Sequence, residues 1–160
     1  MSQSHKPEAA LSRRQVLAGA GVGAVAVVGA TAMPRAARAT TEETLEQMQE
    51  AVGTTEAEAA RVTLDVPQIA ENGNTVPLGV SVDSPMTDDD HVKAIHVWAE
   101  GNPSPEVASF YFTPMCGKAE VSTRMRLAKT QNIRAVAEMS DGSVYQDRKE
   151  VKVTIGGCGG

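Results

Sequence analysis

Basic residues are in short supply in this sequence, and the shortage argues against one class of function. The 160-residue chain has 15 Lys and Arg against 20 Asp and Glu. Proteins that bind nucleic acid need a positively charged surface to neutralise the phosphates. The sequence therefore predicts no nucleic-acid partner. Its surplus of carboxylates suits solubility, or docking onto basic partner proteins.

Histidine and cysteine are also scarce, and those present do not form a metal-binding pattern. A blue-copper site needs a Cys followed closely by a His, a second His elsewhere and a weak axial ligand such as Met. No His follows Cys116, while His96 lies in an alternating, strand-like stretch and His91 in an acidic one. We expect no metal and no cofactor. A small exported electron-transfer protein of the cupredoxin type is kept as the alternative function.

The chain has only one long apolar run, and its composition is weak for a membrane span. Residues 16–33 are mostly Ala, Val and Gly; Arg13 and Arg14 precede them, and a small-x-small sequence ending at Ala39 follows. This order is typical of a twin-arginine export signal. We expect residues 1–39 to be cleaved after Ala39, with no stable membrane insertion and a periplasmic location. Five basic residues and one acidic residue would leave with the signal, so the net charge would fall from −5 to about −9.

A short helix is predicted directly after the signal. Thr40 and Glu43 have the spacing of a capping box, in which each side chain satisfies a free backbone amide. Helical spacing then places three apolar residues of the segment 41–52 on one face: Leu45, Met48 and Val52. We interpret residues 40–60 as this helix followed by a linker.

Helical spacing is absent after this point, and apolar residues alternate with polar ones instead. About seven strand-like stretches, separated by turn signals, fill residues 61–155. One of those signals, Asp141-Gly142, favours a tight hairpin because such a turn needs positive φ angles. Short strands at this spacing predict an all-β fold, an immunoglobulin-like antiparallel β-sandwich, with a small closed barrel as the other possibility.

The chain ends in an unusual pentapeptide, residues 156–160, with the sequence GGCGG. Glycines flank Cys158, and because they have no β-carbon they give a flexible segment that fits a narrow channel. This predicts a flexible arm formed by Cys158 and four glycines: Gly156, Gly157, Gly159 and Gly160. No cation adjoins the thiol in sequence, so we expect it to be weakly activated and to be modified by other proteins inside their own active sites. A plain linker, a structural disulfide, and a ubiquitin-like carrier that uses its terminal carboxylate are the alternatives.

The export signal, the sandwich-like domain, the stretch 121–155 and the terminal GGCGG together resemble the SoxY family of periplasmic thiosulfate oxidation. The resemblance is strongest over residues 120–160. It implies a carrier without turnover of its own, rather than an enzyme, with Cys158 as the covalent attachment point for sulfur intermediates. Cys116 departs from the family pattern. We expect it to be a small, buried or half-buried residue that is not paired with Cys158.

The resemblance also implies a set of partners. The first is a SoxZ-type immunoglobulin-like subunit that forms a heterodimer with this chain. The others are enzymes: a haem c enzyme that conjugates thiosulfate to the thiol as a cysteine S-thiosulfonate, a manganese-dependent thiosulfohydrolase that releases sulfate, and a sulfur dehydrogenase.

Overall fold

Two β-sheets and one helix form residues 41–157, the part of the chain that the computed structural model describes. The predicted signal with Arg13, Arg14 and Ala39 lies outside the described residues, as does the end of the chain from Cys158 through Gly159 and Gly160. The elements in chain order are α1 (Thr41–Val52), β1 (Val62–Asp65), β2 (Ile69–Asn72), β3 (Val76–Val82), β4 (Val92–Ala99), β5 (Glu106–Tyr111), a 3-10 turn (Pro114–Cys116), β6 (Ala119–Met125), β7 (Gln131–Met139) and β8 (Val144–Ile155).

The two sheets form the expected sandwich. One sheet has the strand order β1-β3-β6 and the other has the order β2-β8-β7-β4-β5. The alternation of apolar and polar residues places the apolar side chains of each strand on the face of the sheet that points into the sandwich. In β3, for example, Val76, Leu78 and Val80 are buried. They belong to one core cluster with residues of the other sheet, such as Ile95 and Ile133. Burial of these side chains is the main force that holds the two sheets together.

Residues 41–157 contain eight strands where about seven were expected, and one pair is not antiparallel. The additional strand, β2, runs parallel to β8, with Ile69 opposite Lys152 and Ala70 opposite Val153. It is a short edge strand in which only Ala70 is buried, so its sequence carries little alternation. A parallel edge pairing is set by the distant strand β8, and local spacing does not predict it.

The predicted hairpin is confirmed between β7 and β8. Gly142 has a φ angle of 84°, a region that glycine enters without the steric cost of a β-carbon. The backbone amide of Met139 donates to the Ser143 carbonyl at 2.9 Å, which closes the turn. The neighbouring Asp141 carboxylate accepts hydrogen bonds from the Ser143 amide and hydroxyl.

The helix begins and ends where the sequence predicts, and it packs against the sandwich. Met48 is fully buried and forms a second apolar cluster with Trp98 of β4 and Val136 of β7. Leu45 and Val52 pack against the same cluster. Full burial of one such side chain contributes about 1.5–3 kcal/mol. No helix within residues 41–157 is long and apolar enough to cross a membrane.

A buried carboxylate ties three strands together beside this cluster. Glu100, at the end of β4, accepts hydrogen bonds from Arg134 Nε at 3.1 Å and from Arg148 Nε at 2.9 Å. Burial acts to raise the pKa of Glu100, but the hydrogen bonds from Arg148 and Arg134 outweigh it and hold the pKa below its ordinary value. The carboxylate therefore stays ionised, as a paired buried charge requires.

Candidate functional site

The last strand leads directly into the first two glycines of the terminal pentapeptide, and the second of them is hydrogen-bonded to the domain. Strand β8 ends at Ile155. Gly157 is buried, and its backbone amide donates to the Leu127 carbonyl at 2.9 Å. Leu127 lies in the loop between β6 and β7 and is itself fully buried. The chain is therefore fixed to the body of the domain up to the residue before Cys158.

A second loop completes this attachment. The amide of Gly73, in the turn between β2 and β3, donates to the Ile155 carbonyl at 2.8 Å. The Gly73 carbonyl in turn accepts a hydrogen bond from the Leu127 amide, also at 2.8 Å. We call the three segments joined by these bonds, residues 73, 127–128 and 155–157, the tail junction.

The tail junction has no room for side chains at its glycines. A β-carbon at Gly156 would lie 2.2 Å from the Ala128 carbonyl oxygen, and one at Gly157 would lie 2.8 Å from the Gly73 carbonyl oxygen. A β-carbon at Gly73 would lie 2.2 Å from the Leu127 carbonyl oxygen. These separations are shorter than van der Waals contact, and the opposing atoms are backbone. Glycine is thus required here for close approach of three backbones.

The flexible arm over residues 156–160 stays a prediction, and the structure shows how its first two glycines meet the domain. Gly157 is buried and hydrogen-bonded, and Gly156 is exposed but lies close to the Ala128 carbonyl, because the missing β-carbons let the tail approach the loop at Leu127. Sequence reasoning missed Gly73 and Leu127 altogether. The local sequence around Gly73 is typical of a turn, and no periodic pattern in the sequence indicates that this residue contacts the end of the chain.

The second cysteine also differs from its expectation. Cys116 is a free and exposed thiol, so the prediction of a buried or half-buried residue is wrong. It closes the 3-10 turn between β5 and β6, and its sulfur lies 3.9 Å from the Thr113 hydroxyl. The adjacent Met115 is 96% exposed. The turn connects strands that belong to different sheets.

The two histidines of the domain lie in different surroundings. His96 is 6% exposed, its Nδ1 lies 2.8 Å from the Ser109 hydroxyl, and its ring stacks on Trp98. Burial lowers the pKa of His96 below its ordinary value, against the opposing attraction of nearby carboxylates. His91 Nδ1 lies 3.0 Å from the Thr87 carbonyl oxygen. Within residues 41–157, no three His, Cys, Asp or Glu side chains are close enough to hold a metal ion.

Comparison with known proteins gives a family match that runs to the tail cysteine. The family model described as sulfur oxidation protein SoxY matches residues 48–158. The solved structure of the sulfur carrier protein SoxY from Chlorobium limicola f thiosulfatophilum is 34% identical and has a TM-score of 0.59. The match covers 72% of this chain and all of that one. No curated protein sequence matches.

More distant structures share the fold alone. The superoxide reductase (neelaredoxin) from Ignicoccus hospitalis is 20% identical with a TM-score of 0.53, and the match covers 71% of this chain and 93% of that one. An identity this low shows a common sandwich and carries no functional conclusion.

Proposed function

The chain belongs to the SoxY family of sulfur oxidation proteins, and we propose that it is a sulfur carrier that holds thiosulfate-derived intermediates covalently on Cys158. The observation that carries the proposal is where the family match ends: it covers 111 consecutive positions, residues 48–158, and Cys158 is its last residue. The carrier performs no turnover itself. It presents its cargo to enzymes in the periplasm after export by the twin-arginine pathway.

The tail junction supports this proposal by setting where the attachment point begins. Cys158 follows Gly157 directly, and consecutive α-carbons are about 3.8 Å apart. Since the Gly157 amide is bonded to Leu127, the thiol starts from a defined place on the domain. A carrier whose cargo must enter several active sites needs such a defined base, because every enzyme then meets the same presentation of the thiol.

The chemistry that we propose at the Cys158 thiol begins with an oxidation, which is followed by a hydrolysis. The Cys158 sulfur forms a bond to the outer sulfur of thiosulfate; one proton leaves, and two electrons pass to the haem c of the conjugating enzyme. Water then cleaves the terminal S–S bond in a manganese-dependent hydrolase, giving sulfate, two protons and a cysteine persulfide anion. A sulfur dehydrogenase would then oxidise the outer sulfur to a sulfonate with oxygen from three water molecules, taking up six electrons while six protons leave. A second hydrolysis gives sulfate, one proton and the free thiol. The carrier supplies only the nucleophilic sulfur and its position.

We further propose that the chain works as a heterodimer with a SoxZ-type subunit of immunoglobulin-like fold. Such a partner without its own signal would cross the membrane together with this chain, which is a reason for using an export pathway that accepts folded proteins. The acidic surplus of the chain suits docking onto basic surfaces of the partner enzymes.

The test is the intact mass of the exported protein purified from cells that oxidise thiosulfate. We expect reducible sulfur adducts on the wild-type protein, and their complete absence after Cys158→Ser. The matched control is Cys116→Ser, which removes the other cysteine of the chain, an exposed one, and should leave the adducts unchanged. A bare Cys158 thiol under all conditions, adducts confined to Cys116, or a bound copper ion would overturn the proposal.

A further inference from the structure

A second surface feature lies between helix α1 and strands β4, β5 and β7. It is a pocket of about 330 Å³. Three carboxylates line it, Glu50 from α1, Glu106 from β5 and Glu138 from β7. Three rings line it as well: His96, Trp98 and Tyr111. We call this feature the acidic pocket.

The charge of the acidic pocket is negative. Among its described lining residues there is no Lys or Arg. Glu138 is paired with Lys93, and Glu106 accepts a hydrogen bond from Ser109. Glu50 is exposed and forms no ion pair within residues 41–157. His96 adds no positive charge near neutral pH, because its burial favours the neutral ring. About two carboxylate charges are thus left without a cation.

The acidic pocket also contains a hydrogen-bond acceptor without a donor. Gln47 lines it from the helix, and its side-chain oxygen Oε1 is buried and accepts no hydrogen bond within the part of the chain that the structure describes. Buried polar atoms in native proteins almost always have a partner. A donor that reaches this oxygen from the acidic pocket would supply the missing hydrogen bond.

The rings specify what shape of donor fits. Tyr111 is 77% exposed although it is a large aromatic residue, and it stands edge-on to the His96 ring at 6.1 Å between centroids. A planar guanidinium stacks on aromatic faces and donates five hydrogen bonds in its own plane. A Lys ammonium is more strongly hydrated and has no plane to stack. The combination of carboxylates, a free amide oxygen and an exposed ring favours the guanidinium.

We propose that the acidic pocket receives an arginine side chain of a partner protein. A free amino acid is a poorer occupant, because the described lining residues include no Lys or Arg for its α-carboxylate and the neighbouring Lys93 is already paired with Glu138. An arginine within a polypeptide brings the guanidinium without that carboxylate. The inference does not depend on sulfur carriage by Cys158, since no residue of the tail junction is among the described lining residues of the acidic pocket.

The test uses the intrinsic fluorescence of Trp98, the only tryptophan of the chain. The probes are three blocked tripeptides, acetyl-Gly-X-Gly-amide, with X as arginine, lysine or citrulline, titrated at constant ionic strength. Citrulline has the shape of arginine without its charge. We expect a saturable fluorescence change with the arginine peptide, binding at least threefold weaker with lysine, and no saturable response with citrulline.

Variants locate the response in the acidic pocket. The double substitution Glu106→Gln and Glu138→Gln should weaken binding of the arginine peptide at least tenfold. Tyr111→Ala, which alters an exposed ring that folding does not depend on, should weaken it severalfold and serves if the double variant folds poorly. Glu150→Gln, at an exposed carboxylate outside the acidic pocket, is the matched control and should bind as wild type does. Equal responses to arginine and citrulline, no response at all, or equal losses in Glu150→Gln and the pocket variants would overturn the proposal.

Discussion

The tail junction makes a sharp prediction about a single methyl group at the end of the chain. Gly156→Ala places a β-carbon 2.2 Å from the Ala128 carbonyl oxygen and 3.2 Å from its carbonyl carbon. Because both atoms are backbone, rotation of a side chain gives no relief, and the loop or the tail must move. Overpacking of this kind costs about 1–3 kcal/mol.

The displacement should also weaken the hydrogen bond from the Gly157 amide to Leu127. A typical intramolecular hydrogen bond contributes about 0.5–1.5 kcal/mol, so the total loss in the free energy of unfolding is about 2–4 kcal/mol. For a domain of this size, about 3–4 °C of melting temperature corresponds to each kcal/mol. The expected fall in melting temperature is therefore about 6–16 °C.

The assay is thermal unfolding by circular dichroism, with hydrogen exchange of the Gly157 amide as a local readout. The exchange should be slow in the wild-type protein and fast in Gly156→Ala. Gly159→Ala makes the same chemical change three residues later and is expected to leave the melting temperature unchanged. Gly73→Ala tests the non-local claim, since a β-carbon there would lie 2.2 Å from the Leu127 carbonyl oxygen. The close packing would be refuted if both Gly156→Ala and Gly73→Ala melted within about 1 °C of the wild-type protein. A shift of that size corresponds to less than about 1 kcal/mol of the free energy of unfolding.

Two further predictions concern the five-stranded sheet. The folded-state pKa of Glu100 lies below its unfolded value of about 4.5, so its stabilisation is complete above that pH and is lost as the pH falls through the lower, folded-state pKa. Glu100→Gln should therefore lower the free energy of unfolding by about 3 kcal/mol at pH 7 and by a smaller amount at pH 3, both measured by urea unfolding. An equal loss at both pH values would contradict the ionic pairing. Met48→Ala should lower the free energy of unfolding by about 2–4 kcal/mol and shift the Trp98 fluorescence to longer wavelength. Glu46→Ala, at an exposed position of the same helix, should do neither. An unshifted spectrum for Met48→Ala would contradict docking of the helix on the sheet.

Features that depend on neighbouring residues followed from the sequence. The helix Thr41–Val52 was predictable because apolar spacing and a capping pattern act within a few residues. The hairpin at Gly142 was predictable because positive φ angles restrict the residue type locally. Alternation along β1 and β3 predicted a two-layer sandwich, since one buried face per sheet needs a second sheet to cover it.

Features that depend on residues distant in the chain did not follow. Strand β2 was missed because its pairing with β8 joins segments more than 80 positions apart, with Ile69 opposite Lys152. The exposure of Cys116 depends on how the turn between β5 and β6 packs against the rest of the domain, and local composition does not determine that packing. The acidic pocket joins a helix to strands that lie about 50 to 90 positions further along the chain, as Glu50 and Glu138 show.

The terminal glycines show most clearly which properties follow from the sequence and which follow from the tertiary structure. The sequence alone determined that a thiol stands among four residues without side chains, and the absence of a β-carbon allows either flexibility or close packing. Only the tertiary structure shows the close approach at Gly156 and Gly157, because that approach depends on the carbonyl groups of Gly73, Leu127 and Ala128. Those carbonyls come from two loops that local periodicity does not bring together. Folding of both sheets places them against the tail, and the first two glycines then become its attachment to the domain.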